Sequence, residues 1–127
     1  MRILALVLIA LIAALHAYIA YFEIFAWEET GPRVFATFPP ELFSQTTAIA
    51  ANQGIYNAFL AAGLIWSLLI RDPKWQRNVA TCFLLFVTTA GVMGMATVSA
   101  RIFFVQSVPA LIALALLLLS GRKTAIA

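Results

Sequence analysis

The sequence predicts an all-α protein, a four-transmembrane-helix antiparallel bundle with its N and C termini cytoplasmic. Three observations carry that expectation. Four stretches contain no Asp, Glu, Lys or Arg at all, over residues 3–22, 42–70, 78–100 and 102–121, and about 20 mostly apolar residues suffice for a helix to cross the hydrocarbon of a bilayer. Hydrophobic residues make up 64% of the chain and charged residues 10%, against roughly 25% charged in a soluble domain, so no soluble core could hide this much apolar surface. A membrane β-barrel would alternate apolar with polar residues, and runs such as LVLIALIAAL and ALALLLLS do not alternate.

One domain over residues 1–127 is expected, with helices at about 3–27, 44–70, 78–99 and 102–121. Arg2 followed by an apolar run imitates a secretory signal, but cleavage requires small residues at both the minus-three and minus-one positions. The pairs Ala13/Leu15, Ala14/His16 and Leu15/Ala17 each supply only one, so the run is kept as the first helix. The next connection holds Glu28, Glu29, Arg33 and Glu41, with turns expected at Gly31-Pro32 and Pro39-Pro40. It is the one loop long enough to act as a lid. The segment after Pro40 is expected to lie flat at the interface before the second helix enters the bilayer. Arg71-Asp72-Pro73-Lys74 and Ser99-Ala100-Arg101 are short connections, which force adjacent, antiparallel neighbours. The single Cys82 excludes an internal disulfide and packs as a small hydrophobe.

Orientation follows the Lys/Arg bias of the loops. Cytoplasmic termini place Arg2, Arg71, Lys74, Arg77, Arg122 and Lys123 inside and only Arg33 and Arg101 outside, and the chain is expected to be a multi-pass protein of the inner (plasma) membrane. Trp27 then lies at the outer interface and Trp66 and Trp75 at the inner one, as aromatic belts do.

The residues that carry functional information are the polar ones within the spans. His16 and Glu23 are seven residues apart and share one helix face. On the second helix Asn52, Gln53, Tyr56 and Asn57 fall at roughly 0°, 100°, 40° and 140° around the axis, a single polar arc. Gly54, Ala58, Ala61, Ala62 and Gly63 offer small surfaces for close helix approach. Thr88, Thr89, Thr97 and Ser99 accompany Gly91 and Gly94 on the third helix, and Gln106 and Ser107 precede Pro109 on the fourth. Nearly all of these fall in the outer half, and polar groups within a span usually face a bundle interior or a watery cavity. The expectation is a small outer pocket lined by His16, Glu23, Asn52, Gln53, Tyr56, Asn57 and Gln106. Pro109 removes a helix hydrogen bond, so a carbonyl near Val105 is expected to be freed towards it.

The pattern His16-x-Tyr18-Ile19-x3-Glu23-x3-Trp27, the run from Ala50 through Asn52-Gln53-Gly54-Ile55-Tyr56-Asn57 to Gly63, then Gly91-x2-Gly94 and Val105-Gln106-x2-Pro109 resembles the small bacterial membrane proteins of the domain-of-unknown-function 1304 family. The resemblance covers essentially the whole chain, and the second-helix motif is its most specific part. It implies a four-helix integral membrane protein and names no reaction. Met93 stands where the family pattern often has tyrosine between the two glycines, which would remove one pocket group here.

Three functions stay open on the residues. The first is a binding protein whose pocket receives a small molecule or lipid headgroup. The second is a membrane enzyme using His16 or Glu23 as acid/base on a lipophilic substrate. The third is a structural polar network within a homo-oligomer. Each residue also has a plainer role. A neutral His16 can be interhelical glue, Glu23 can reach water or Arg101, and the threonines can bond their own backbone four residues back. No nucleophile-plus-base signature is present, one histidine builds no metal site by itself, and no cofactor is named. The partners expected are the lipid bilayer and a small-molecule or lipid ligand, with no nucleic acid, and the basic cluster Arg71, Lys74 and Arg77 reads as a topology signal that can also touch anionic lipid.

Overall fold

The computed structural model describes residues 1–122, and all regular structure among them is helical. Lys123, counted above towards the orientation, lies outside the described residues. The elements are α1 (Arg2–Phe25), α2 (Trp27–Val34), α3 (Glu41–Gln45), α4 (Thr47–Leu69), α5 (Pro73–Thr97), α6 (Ala100–Ile102), a π-helical turn (Phe103–Ser107) and α7 (Val108–Arg122). Four stretches are long and apolar enough to cross a membrane: Arg2–Phe25, Thr47–Leu69, Pro73–Thr97 and Ala100–Gly121. Large apolar residues are exposed along each of them, among them Ile3, Leu11, Phe59, Leu69, Phe86, Ile112 and Leu118. Soluble monomers rarely expose contiguous apolar surface on this scale, so these faces are lipid-facing and the protein is a multi-pass membrane protein.

The chain gathers into two compact units, one of residues 1–13 with those from Ala62 onward, the other of residues 14–61. In the second, the connection between α1 and α4 is folded rather than open. Trp27 stacks on Phe22 with ring centroids 6.3 Å apart, and tilts against Phe35 at 5.8 Å and Phe43 at 5.3 Å. Its indole Nε1 donates to Thr46 Oγ1 at 2.9 Å, and that hydroxyl donates to the Leu42 carbonyl at 2.7 Å. One side chain thus ties the end of α1 to the α3–α4 junction, and each such aromatic pair is worth about 0.5–1.5 kcal/mol beyond its buried area. This packing explains a departure from the expected turn at Gly31-Pro32, because both residues lie inside α2. Gly31 is buried beside the Phe43 ring.

In the other unit, α5 begins at Pro73, several residues before the uncharged run. Asp72 is the reason: its Oδ1 accepts from the Trp75 N–H at 2.8 Å, and proline at the first helical position lacks only an N–H that would be unbonded anyway. Thr88, Thr89 and Thr97 return their hydroxyls to the carbonyls of Leu84, Leu85 and Met93. The core between helices is built of small and medium residues, with Ala5, Ile9, Leu64, Ala80, Leu84, Val87, Ala110 and Ala113 all fully enclosed.

Pro109 shapes the fourth span. A proline ring collides with the carbonyl four residues back, and the chain widens ahead of it into the π turn, where the Val108 N–H reaches Phe103 O five residues earlier. The turn presents Ser107 to α5. Its Oγ donates to the Thr88 carbonyl at 2.8 Å, and Gly91 opposes it so closely that an added methyl would meet the Ser107 hydroxyl and lie 2.9 Å from its backbone nitrogen. Gly91→Ala is therefore expected to lower stability by about 1–3 kcal/mol, the usual cost of overpacking a tight contact. Unfolding in mild detergent, followed by tryptophan fluorescence, checks this. The outward-facing substitution Ala90→Leu should leave the midpoint unchanged, and a Gly91→Ala protein as stable as wild type would contradict the contact.

Candidate functional site

The unit of residues 14–61 contains six of the seven residues singled out in the sequence, and α1 and α4 position them. His16 and Ala20 lie one turn apart and are both buried, His16 completely. One turn further, Glu23 is half-buried. The two helices approach at Gly54, where an added Cβ would lie 2.6 Å from Ile24 Cγ1 and 3.1 Å from both the Ala20 carbonyl oxygen and Glu23 Cβ. Three residues beyond that contact, Asn57 Nδ2 donates to Glu23 Oε2 at 2.8 Å and makes a longer 3.4 Å bond to the Gln53 carbonyl of its own helix. Glu23 and Asn57 are thus brought together across the helix pair.

The rest of the polar arc is not gathered in. Asn52 and Gln53 are exposed and Tyr56 is 55% exposed, its ring edge-on to Phe59 at 6.1 Å. Geometry explains the split. Ala50, Gly54 and Ala61 are the buried residues of α4 in this unit, and at about 100° per residue they centre near 180° on the scale that places Asn52 at 0°. Asn57, at roughly 140°, is the only arc residue on the margin of that face. The packed side of α4 is its small-residue stripe rather than its polar side, and that stripe is the signal in the sequence that marks it.

Gln106 belongs to the other unit, where it is half-buried on the π turn with its Cβ against Gly91. Two surface concavities include none of the seven residues. One is lined by Trp66, Ile70 and Trp75, the other by Arg2, Gln76 and Arg77. Among the described residues no three of His, Cys, Asp and Glu come together as metal ligands would.

What the arrangement offers chemically is a set of acceptors. Asn57 satisfies one carboxylate oxygen of Glu23, while Glu23 Oε1 and Asn57 Oδ1 carry no hydrogen bond from the described residues. Beside them, two amides and a phenol extend outwards along α4.

Four apolar spans and a sparse set of polar side chains define the class: a multi-pass α-helical membrane protein. The chain belongs to the family described as "Protein of unknown function (DUF1304)", whose family model matches residues 10–118. It is 32% identical over 116 residues to the "Uncharacterized protein YpaA" of Lactococcus lactis subsp. lactis (strain IL1403), covering 90% of this chain and 96% of that protein. No solved structure gives a significant match.

The separation of the arc into inward and outward residues is measurable. Asn57→Ala should lower stability by about 1 kcal/mol, within the range of interhelical bonds in membranes and of bonds to charged groups. Asn52→Ala should change it by less than about 0.5 kcal/mol, as surface substitutions do. Thermal unfolding of the two variants in detergent gives the comparison, and equal losses would mean that both amides are packed alike.

Proposed function

We propose that the protein is a membrane-embedded binding protein, with both termini cytoplasmic, that receives a small molecule or lipid headgroup on the outer-leaflet part of the α1–α4 surface. Glu23 and Asn57 anchor the occupant, and Asn52, Gln53 and Tyr56 border it. The observation that carries the reading is the Glu23–Asn57 bond lying beside an exposed run of amides and a phenol. Polar groups turned towards hydrocarbon are costly, and a polar occupant lowers that cost. Because the unbonded atoms of the anchor pair are acceptors, the occupant is a hydrogen-bond donor, either an amine or a polyhydroxylated group. The site is open sideways to the membrane rather than enclosed, which suits a molecule arriving from the lipid phase. His16, being enclosed, stiffens α1 behind the site. A His16/Glu23 acid/base pair is disfavoured, since seven residues along a helix are roughly 10 Å.

A second reading rests on the same exposure. Asn and Gln side chains both donate and accept, so the outward arc is complementary to itself and suits a second copy of the chain.

Two experiments follow. Purification in mild detergent with mass spectrometry of co-purified small molecules should recover a donor-rich compound from wild type and lose it with Glu23→Gln and Asn57→Ala. If no compound is bound by any form while Asn52→Ala converts an oligomer to a monomer by light scattering, the assembly reading replaces this one. For orientation, in a Cys82→Ala background, Ala36→Cys should be labelled by a membrane-impermeant maleimide in intact cells, and Lys74→Cys only after permeabilisation. The opposite pattern would invert the protein in the bilayer.

A further inference from the structure

The starts of α1 and α5 and the end of α7 meet at a cleft in the unit that lacks Glu23 and Asn57, lined by Arg2, Gln76, Arg77 and Gly121 among others. Its construction is specific. Gln76 is 6% exposed, and its amide is fixed by donating to the Ile70 carbonyl at 3.3 Å. With the amide so held, Oε1 accepts from Arg2 Nη2 at 2.9 Å across a separation of 74 residues. Arg77, next in sequence, lays its guanidinium against Gly121. Two guanidinium groups therefore line one small cleft, and among the described residues neither is paired with a carboxylate. Holding two like charges together is unfavourable unless an anion lies between them.

The chemistry of that anion follows from the donors. Guanidinium groups present planar forks that match the oxygens of phosphate, and such charge-assisted bonds are the strong ones. The depth of the cleft follows from its neighbours. Trp75, adjacent to Gln76, and Trp66 are both more than half exposed, and exposed tryptophans in membrane proteins settle at headgroup level. A cleft beside such tryptophans suits the phosphate layer of a bilayer, with the apolar lengths of α1 and α7 adjoining it. Basic clefts between spanning helices at a membrane surface suit anionic lipid headgroups. Arg71 and Lys74, at the same end, are exposed and do not line the cleft.

We propose that this cleft is a binding site for an anionic glycerophospholipid, whose phosphate is clamped between Arg2 and Arg77 while its acyl chains lie on the adjoining apolar helix faces. The site is independent of the one on α1 and α4: it takes an anion, whereas Glu23 and Asn57 offer acceptors.

The test uses the full chain, delipidated in mild detergent and titrated with phosphatidylglycerol or phosphatidylcholine, with the melting midpoint and lipid adducts by native mass spectrometry as readouts. Phosphatidylglycerol should raise the midpoint and persist as an adduct in wild type and in Arg71→Gln/Lys74→Gln, which loses the same charge. In Arg2→Gln/Arg77→Gln its affinity should fall at least about tenfold, the equivalent of one strong polar contact. Phosphatidylcholine should have little effect on any form. Full phosphatidylglycerol affinity in Arg2→Gln/Arg77→Gln would overturn the proposal, and so would an equal loss in the control pair, which would mean diffuse surface charge. Equal stabilisation by inorganic phosphate at matched concentration would overturn the lipid as its source. Should the double variant not fold, Arg2→Gln and Arg77→Lys measured singly replace it, and undiminished affinity in both would be equally decisive against the clamp.

Discussion

Helices already inside a bilayer gain little from hiding apolar surface from one another, because lipid tails are as apolar as leucine. Their association depends instead on close approach, and in this protein that approach occurs where side chains are missing. Gly54 lets α1 and α4 touch at the Ala20 carbonyl, Gly63 accommodates the Phe83 ring, and Gly91 admits Ser107 of the π turn. Half of the buried apolar residues are alanine, with Ala5, Ala80, Ala110 and Ala113 completely covered. The Glu23–Asn57 and Ser107–Thr88 bonds both lie beside such contacts, which fix the face that each helix turns inwards. The Glu23–Asn57 bond exists because Gly54 brings the two backbones together one turn away.

The same constraint explains why the polar residues of α4 are divided. Close packing claims the alanine and glycine side of the helix, and the amides, offset from it by a quarter to a half turn, are left outside. Only Asn57 lies near enough to the seam to be recruited. In water an exposed amide is ordinary, but within a span it is costly, so the outward arc is more informative than the inward bond. The π turn works in a comparable way. A backbone irregularity imposed by Pro109 turns Ser107 towards α5, where its hydroxyl finds the Thr88 carbonyl.

The two units differ in character. In one, the aromatic cluster around Trp27 turns a connection rich in proline and acidic residues into short packed helices. In the other, tight turns leave arginine and lysine side chains concentrated around the α4–α5 junction, and a single buried glutamine organises part of that charge.

The all-α class, the number of spans and the membrane setting were legible in the sequence, because run length and composition are one-dimensional properties and the bilayer thickness acts on them directly. The threonines' return to their own helix was legible as local chemistry, whereas the start of α5 at Pro73, five residues ahead of the expected Asn78, was not. Which faces meet was decided only by the tertiary structure. In a soluble protein hydrophobicity marks the inside, but in a membrane the lipid side is just as apolar, so polarity alone could not show that Asn57 faces α1 while Asn52 and Tyr56 face away. Nor could it show that Arg2 finds Gln76, since that contact joins residues far apart in the chain.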